Sequence, residues 1–208
     1  MPVIALIGNK GGAGKTTLSV NLAAGLSKQA STILVDADPQ GSALQWNVFT
    51  ETNQAIVVQE ARDDVQTQIA ELSQKYRNVV VDCPPSVHAA QTIKVLEICD
   101  LALIPVQPSP VDLWATVHTE KAIQCAQKIN TNLQAVLVIN QLESRTTLSR
   151  IVRDAVSEIG LPVAKIAIRR RAIFRNSVLE GKSVFEMGSR GIDAASEIDE
   201  LINEVIEI

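Results

Sequence analysis

The sequence predicts an α/β protein in which a mostly parallel, twisted sheet lies between two layers of helices. Short apolar runs alternate with longer amphipathic stretches along the 208 residues, as in successive strand–helix–strand units. Apolar residues make up 46% of the chain and aromatic residues only 3%, so the core must consist of Val, Ile, Leu and Ala. Such a core is typical of a parallel sheet that is buried on both faces. Right-handed crossovers then place helices on both sides of the sheet and ligands beyond the carboxyl ends of its strands.

Each element is assigned from its hydrophobic pattern, in chain order. Short continuous apolar runs predict buried strands, at residues 3–7, 33–35, 79–81, 101–106 and 135–139. Longer amphipathic stretches predict helices, at residues 15–28, 65–75, 89–98, 113–129 and 147–159. After residue 161 the pattern changes to an arginine-rich stretch, 169–175, and an acidic amphipathic helix, 192–208. We expect these last segments to cap the edge of the sheet.

No internal repeat, low-complexity tract or Gly/Ser linker interrupts the chain, so a single domain spanning residues 1–208 is expected. No apolar run approaches the roughly 20 residues that a membrane span needs, and the opening segment is too short and uncharged for a signal peptide. The three cysteines lack any C-x-x-C spacing, which argues against a disulfide framework or a zinc site and for a reducing compartment. These features predict a cytoplasmic protein without a membrane partner.

A glycine-rich segment, GNKGGAGKTT at residues 8–17, joins the first predicted strand to the first predicted helix. The phosphates of a nucleotide need converging backbone N–H groups, a helix N-terminus, a lysine and a hydroxyl for Mg²⁺, and this segment supplies all four. The usual P-loop pattern has a glycine six positions before its lysine, where this chain has Asn9, and the loop carries an additional lysine. The residues assigned to the nucleotide are Lys10, Gly11, Gly12, Ala13, Gly14, Lys15, Thr16 and Thr17.

Aspartates close the next two predicted strands. Asp36 and Asp38 lie in the segment DADPQ after the strand at 33–35, and Asp82 begins the segment DCPP after the strand at 79–81. Because the carboxyl ends of parallel strands share one edge of the sheet, these acids are expected to converge near the glycine-rich loop. Carboxylates there suit Mg²⁺, which keeps several of its water molecules, and an attacking water. Each aspartate alone would fit an ordinary turn residue, but the combination with the loop favours a metal site.

Together these motifs resemble those of the ParA/MinD family of ATPases with a deviant Walker A motif. Residues 10–17, KGGAGKTT, resemble that Walker A motif, residues 36–40 the Walker A′ motif and residues 82–85 the Walker B motif. The segment IPVQPSP, residues 104–110, is similar to the one after the family's next strand. The resemblance spans nearly the whole chain and is strongest to short ParF-like partition ATPases, including carboxysome-positioning relatives. It implies a P-loop NTPase fold, a three-layer αβα sandwich, with ATP and Mg²⁺ as cofactors.

The resemblance implies a role for each matching position of this sequence. Lys15 would hold the β- and γ-phosphates, and Thr16 would ligate Mg²⁺. Asp36 and Asp82 would hold the water molecules of the metal, and Asp38 would position or activate the attacking water. The implied catalytic residues are Lys10, Lys15 and Asp38, and the implied metal site consists of Thr16, Asp36 and Asp82.

The resemblance also implies an ATP-dependent homodimer, in which Lys10 of each subunit reaches the phosphates bound by the other. Such a lysine acts as an arginine finger does and links assembly to the nucleotide state. Many family members have an asparagine two residues before this lysine, where this chain has Gly8. Asn140, which follows the strand at 135–139, is assigned to the adenine by the same analogy.

A local excess of positive charge follows residue 168, although the whole chain has a net charge of −4. Clustered arginines give affinity for phosphates without reading bases. Family members also use basic residues in this region to hold non-specific double-stranded DNA. The expected DNA contacts are Arg169, Arg170, Arg171 and Arg175. A solvated arginine-rich edge, or a site for another anion, is the alternative interpretation. Further candidates for this surface are Arg145, Arg150 and Arg153.

The function implied by the resemblance is that of a ParA-type partition ATPase, cytoplasmic and associated with the nucleoid. It would dimerise on ATP, bind DNA non-specifically and release it when a ParB-like adaptor protein stimulates hydrolysis, which would segregate or position a plasmid or an organelle. One alternative is a MinD-like membrane-associated ATPase, which the acidic last helix disfavours because membrane-surface helices carry Lys and Arg. Another is a metabolic P-loop ligase of the dethiobiotin-synthetase type, which needs neither Lys10 nor the arginine cluster.

Overall fold

A parallel six-stranded sheet forms the centre of the computed structural model, which describes residues 2–49, 56–143 and 160–206. The strands are β1 (Val3–Leu6), β2 (Thr32–Asp36), β3 (Val57–Glu60), β4 (Asn78–Asp82), β5 (Leu101–Val106) and β6 (Gln134–Ile139). Their order across the sheet is β3-β2-β4-β1-β5-β6, and all neighbouring strands are parallel. β1, the first strand of the chain, therefore lies in the interior of the sheet between β4 and β5.

Helices cover both faces of this sheet. Within the described residues they are α1 (Lys15–Ser27), α2 (Ser42–Val48), α3 (Val65–Ser73), α4 (Ala90–Leu96), α5 (Pro110–Gln127), α6 (Ala172–Leu179) and α7 (Ile192–Ile206). α1, α2, α6 and α7 pack on one face, and α3, α4 and α5 on the other. None of the helices in the described ranges is both long and apolar enough to cross a bilayer. The α/β sandwich predicted from the alternating pattern is confirmed.

The strand β1 is apolar on both sides because helices cover both sides. Val3 and Ala5 contact the core beneath α3, α4 and α5, whereas Ile4 and Leu6 contact the core beneath α1 and α7. All four residues are buried. This double burial explains why the sequence of the strand is a continuous apolar run rather than an alternating one.

Three of these strands and α-helices have no counterpart among the predicted elements: β3, α2 and α6. β3 is the edge strand next to β2, and its sequence, VVQE, is half polar and only partly buried. α2 has seven residues and α6 has eight, so neither is long enough for a helical pattern to stand out. The helix predicted at 147–159 lies outside the described residues. The last helix is confirmed over Ile192–Ile206.

The C-terminal part of the chain covers both the β6 edge and one face of the sheet. The N–H of Leu137 in β6 donates to the carbonyl of Pro162, and its carbonyl accepts from the N–H of Ala164, both at 2.8 Å. α7 instead packs on α1, where a Cβ atom on Gly25 would lie 2.4 Å from Cδ1 of Ile202. The expected edge cap is therefore formed by the residues around 163, whereas the last helix belongs to the α1 face.

Candidate nucleotide-binding site

The loop between β1 and α1, residues 7–14, lies at the carboxyl edge of the sheet, next to its interior strands. Gly12 and Gly14 adopt φ angles of +81° and +89°, which residues with a Cβ atom rarely take. Gly14 is also the N-cap of α1, and a Cβ atom there would lie 2.4 Å from Nδ2 of Asn140. The glycine at position 14 is therefore required both by its backbone angle and by its close neighbour.

Three side-chain amides hold the carbonyl groups of this loop. Nε2 of Gln107 and Nε2 of Gln141 donate to the carbonyl of Gly12, at 2.6 and 3.0 Å. Nδ2 of Asn140 donates to the carbonyl of Ala13 at 2.7 Å. Because carbonyl and N–H point in opposite directions in a trans peptide, the N–H groups that follow these two carbonyls face away from the amides. The amides thereby orient the N–H groups for an anion.

Neither glutamine is predicted from the sequence to be a site residue. Gln107 lies in the segment IPVQPSP, so a signal for it was present in the motif at 104–110. Gln141 follows Asn140 directly and takes a φ angle of +57°, which its sequence does not indicate. The amide oxygen of Asn140 accepts the N–H of Gln141 at 2.9 Å. Both ends of the Asn140 amide are therefore engaged in shaping the loop.

Lys15, the first residue of α1, spans this loop. Its Nζ donates to the carbonyl of Lys10, at the other end of the loop, at 3.2 Å. The side chain is buried, and burial lowers the pKa of Lys15, while the carboxylates of Asp82 and Asp38 act in the opposite direction. A buried ammonium group at a helix N-terminus is well placed to bind a phosphate.

Asp82, the last residue of β4, is fully buried and accepts two hydroxyl groups from α1. Oγ1 of Thr16 donates to Oδ2 at 2.6 Å, and Oγ of Ser19 donates to Oδ1 at 3.0 Å. Burial raises the pKa of Asp82 to about 7, although both hydroxyl groups and Lys15 favour the ionised form. A hydroxyl and a carboxylate in direct contact beside a phosphate-binding loop fit Mg²⁺, which prefers oxygen ligands. Ser19 belongs to this group although no sequence motif indicated it.

Asp36 and Asp38 occupy different environments although they belong to the same turn. Oδ2 of Asp36 accepts the N–H groups of Ala43 and Leu44 at the start of α2, and Oδ1 accepts the N–H of Asp38. Burial raises the pKa of Asp36, and these three donors oppose the effect. Asp38 is partly exposed. Since Asp36 is in register with Asp82 across β2 and β4, the structure brings these acids together as expected.

Asn9 anchors the start of the loop, at the position where the usual pattern has glycine. Its Oδ1 accepts the N–H of Val87 at 2.9 Å, and its Nδ2 donates to Oγ1 of Thr119 at 3.3 Å. These bonds tie the loop to the segment after β4 and to α5. Lys10, the next residue, is exposed. The loop therefore carries two lysines in opposite environments, since Lys15 is buried.

An open cavity of about 710 Å³ lies beside the loop, between α1 and α6. Gly14, Thr17 and Asn140 line one side of it, and the arginine-rich stretch and α6 line the other. Its volume is in the range of small-molecule sites. All the arginines that were expected to bind DNA line this cavity: Arg169, Arg170, Arg171 and Arg175. The structure therefore places the predicted nucleotide-binding and DNA-binding residues next to one another.

These arginines differ in exposure. Arg169 and Arg170 keep 59% and 64% of their side-chain surface exposed, whereas Arg171 keeps 27%. Arg171 donates from Nη2 to Glu197 at 2.8 Å and from Nη1 to Asp193 at 3.0 Å, and both acids belong to α7. Arg171 is therefore a fixed part of the cavity wall. Arg169 and Arg170 are more exposed, although each is also paired with an acid: Nε of Arg169 lies 3.7 Å from Oε1 of Glu197, and Nη1 of Arg170 donates to Oε1 of Glu143 at 2.6 Å. Three further candidates lie outside the described residues: Arg145, Arg150 and Arg153.

N–H groups presented to an anion at the start of a helix, on the carboxyl edge of a parallel sheet, are the means by which P-loop proteins bind nucleotides. This chain is a protein of that class. Its family can be specified further, because the model of the CobQ/CobB/MinD/ParA nucleotide binding domain matches residues 4–184. The chain belongs to this family, and the resemblance inferred from the sequence motifs is confirmed.

Two relatives share a name that refers to carboxysomes. The chain is 43% identical over 208 residues to the "Maintenance of carboxysome distribution protein A" of Halothiobacillus neapolitanus, with 98% of this chain and 95% of the relative covered. It is 30% identical over 189 residues to the protein of the same name from Gloeobacter kilaueensis, with 88% and 84% covered. Similarity therefore extends over most of both chains in each case.

Solved structures share the fold at lower identity. The ATP complex of McdA from Cyanothece has a TM-score of 0.79 at 17% identity, with 100% of this chain and 97% of that chain covered. Cobyrinic acid a,c-diamide synthase from Mycobacterium smegmatis, bound to an ATP analog and magnesium, has a TM-score of 0.78 at 23% identity, with 100% and 94% covered. The P-loop NTPase fold is confirmed, and the expected ATP and Mg²⁺ agree with what these structures contain.

Proposed function

We propose that this protein is an ATPase that dimerises on ATP, binds DNA non-specifically and uses partner-stimulated hydrolysis to position carboxysomes. The observation that carries the proposal is the phosphate-binding loop with one buried lysine, Lys15, and one exposed lysine, Lys10. The buried lysine suffices to hold phosphates within one subunit, whereas the exposed one suits phosphates bound by a second copy. The cargo is proposed from the 43% identity to a carboxysome distribution protein over nearly the full length of both chains.

In this proposal the triphosphate lies along the loop and the nucleoside enters the adjoining cavity. The oriented N–H groups of the loop and Lys15 bind the β- and γ-phosphates, and Thr17 lies where the loop and the cavity meet. Because both ends of its amide are engaged, Asn140 acts at the adenine side by fixing the rim of the cavity. The exposed backbone of Gly11 and Gly12 lets the phosphates approach closely.

Thr16, Asp36 and Asp82 form the proposed Mg²⁺ site. The hydroxyl proton of Thr16 is directed at Asp82, which leaves a lone pair of Oγ1 for a cation. Asp36 and Asp82 supply negative charge behind this hydroxyl and would hold the water molecules of a bound Mg²⁺. When bound, Mg²⁺ neutralises charge on the β- and γ-phosphates.

Hydrolysis then requires a positioned water and positive charge at the γ-phosphate. Asp38, whose carboxylate is partly exposed, orients the water that attacks the γ-phosphorus and yields ADP and phosphate. Lys10 of the partner subunit supplies positive charge to the same phosphate. ADP lacks the γ-phosphate that the two subunits share, so hydrolysis removes the contact that favours the dimer.

DNA binding is proposed for the exposed arginines at the mouth of the cavity, Arg169, Arg170 and Arg175. Contacts between these side chains and phosphates need only positive charge, so binding does not depend on the base sequence. A dimer presents this surface twice, so DNA affinity follows the nucleotide state. We propose on this basis a nucleoid-associated protein whose hydrolysis is stimulated by a ParB-like adaptor on the cargo.

A DNA titration with ATP, with ADP and without nucleotide tests the proposed function. We expect strong binding with ATP alone, because only the triphosphate supports the dimer. Lys10→Ala serves as the matched variant, since it should still bind ATP but neither dimerise nor retain DNA. Equal DNA affinity in all three nucleotide states would contradict the proposal.

The two rival functions give different results in simple assays. A MinD-like ATPase would bind anionic lipid vesicles with ATP, whereas the acidic residues of α7 disfavour such contact. A metabolic ligase of the dethiobiotin-synthetase type would keep the same oligomeric state when ATP is added and would not retain DNA. ATP-dependent binding to vesicles but not to DNA would favour the first rival.

A further inference from the structure

Glu197, in the first half of α7, is a buried acid that lies far from the phosphate-binding loop in sequence. Only 7% of the residue is exposed. Its Oε2 accepts the backbone N–H of Arg169 at 3.0 Å. Its Oε1 accepts Nε and Nη2 of Arg171 at 3.2 and 2.8 Å. One carboxylate thus binds both the backbone and a side chain of the arginine-rich stretch.

These contacts of Glu197 fix the position of the cavity wall that residues 169–171 form. A buried carboxylate is costly unless it is paired, and here a guanidinium and a backbone N–H satisfy both oxygens. Asp193, one turn earlier on α7, holds Nη1 of Arg171 and fixes the plane of the guanidinium. The segment 169–171 is therefore held against α7 on one side while it lines the cavity on the other.

We propose that Glu197 is a positioning residue for the nucleoside part of the nucleotide, acting through Arg171 and the backbone of Arg169. The inference rests on the proposed nucleotide site and adds to it a dependence on the C-terminal helix. The phosphate-binding loop and the cavity wall opposite it are held in place by different parts of the chain. Amides from residues 107, 140 and 141 hold the phosphate-binding loop, whereas α7 holds the opposite cavity wall.

Because the loop and the wall are held separately, a variant of Glu197 can be expected to affect binding of the nucleoside without affecting binding of the phosphates. Glu197→Gln is suitable because it keeps the size of the side chain and removes its charge. Isothermal titration calorimetry with Mg²⁺ measures binding of ATP and of inorganic tripolyphosphate, which has no nucleoside. We expect ATP to bind about tenfold more weakly, as for the loss of a charged hydrogen bond. Tripolyphosphate should bind as it does to the original protein.

Glu204→Gln is the matched control. Glu204 lies on the same helix and also accepts two backbone N–H groups, those of Lys165 and Ile166, at 2.7 and 3.2 Å. Unlike the residues that Glu197 holds, Lys165 and Ile166 are not among the described residues that line the cavity. We expect this variant to bind both ligands normally. An equal loss of ATP affinity in both variants would mean that loosening any contact of α7 reduces ATP binding. That result would overturn the specific role of Glu197.

Two other results would also overturn the inference: unchanged ATP binding in Glu197→Gln, or equal losses for ATP and tripolyphosphate. If this variant fails to fold, as circular dichroism would show, Arg171→Lys replaces it, because lysine keeps the charge and loses the two-pronged geometry. The same selective loss is then expected. Failure of the proposed function is recognised separately, since the original protein would then bind neither ligand and Lys15→Ala would change nothing.

Discussion

Oγ1 of Thr16 and Oδ2 of Asp82 lie 2.6 Å apart, which joins the first turn of α1 to the end of β4. The carboxylate in this pair is fully buried. The contact places the proposed metal ligand and the acid behind it in the arrangement that a bound cation would need. Burial of this acid also has a measurable consequence for stability, because it disfavours the charged form although the hydroxyl of Thr16 favours it.

The protein without nucleotide or metal should become less stable as the pH rises from about 4 to about 7. Burial raises the pKa of Asp82 from 3.8 to about 7, so in this window the folded protein binds a proton that the unfolded chain has lost. The free energy of unfolding then decreases with pH, by up to about 4 kcal/mol over the whole window. Urea denaturation at several pH values measures it.

Asp82→Asn is the control for this pH dependence, because the amide cannot ionise. Its free energy of unfolding should be nearly constant over the same window, apart from a smaller decrease caused by Asp36, whose pKa is also raised by burial. A free energy of unfolding that does not decrease with pH in the original protein would contradict the raised pKa of Asp82.

Gly14→Ala should disrupt the phosphate-binding loop. An alanine at a φ angle of +89° is strained, and its Cβ atom would displace the Asn140 side chain that holds the carbonyl of Ala13. We expect a loss of roughly 1–3 kcal/mol in the free energy of unfolding and no measurable ATP binding. Thermal denaturation and calorimetry provide the two measurements.

Gly11→Ala is the comparison for this substitution. A Cβ atom on Gly11 would meet no atom of the described residues within 4 Å, and its φ angle is not in the left-handed region. The free energy of unfolding should therefore stay within about 0.5 kcal/mol of the original value. Similar destabilisation by both substitutions would argue against the special role of position 14.

The strands that the sequence predicted are those buried on both faces, because helices on two sides force a continuous apolar run. β3 was missed since it lies at the edge and carries polar residues at half of its four positions. For the site, the glycines, Lys15 and Asp82 were predicted because phosphate chemistry restricts the residue type. Gln107 and Ser19 were not, since their roles depend on which strands become neighbours.

The arginines proposed to bind DNA and their neighbour Arg171 should separate into two groups. Replacing Arg169 and Arg170 by Ala should weaken DNA binding in gel-shift assays and leave the melting temperature nearly unchanged, because both side chains are largely exposed. Arg171→Ala should instead lower the free energy of unfolding by about 2 kcal/mol, because it removes the hydrogen-bonded guanidinium from the buried carboxylate of Glu197 and leaves only that of Arg169, 3.7 Å away. The sequence alone does not distinguish these arginines, whereas their different contacts with α7 do.

The salt dependence of DNA binding gives an independent count of the contacts. If three arginines from each of two subunits contact phosphates, the logarithm of the affinity should fall with the logarithm of the salt concentration with a slope near −5. The slope should become less steep, that is, less negative, for the variant that lacks Arg169 and Arg170. A flat response to salt would exclude this mode of DNA binding.

Lys10→Ala and Lys15→Ala should fail at different steps. Lys15→Ala removes the buried ammonium of the loop, so we expect no ATP binding and no dimer. Lys10→Ala should keep ATP affinity within about threefold, because its side chain is exposed and the loop carbonyls are held by other groups. Light scattering with ATP should show a monomer for both. A dimer of Lys10→Ala with ATP would contradict contact across the subunits.

The position of β1 has a consequence for how the chain is made. Val3 pairs with Val79 in β4, and Ile4 pairs with Leu101 in β5, so β1 is synthesised well before both of its partners. Until β4 (Asn78–Asp82) has emerged this apolar strand has neither neighbour, and until β5 (Leu101–Val106) has emerged it lacks the second, so it is exposed to aggregation. We therefore expect rapid elongation, or a chaperone, to favour correct folding by protecting the strand that precedes the phosphate-binding loop.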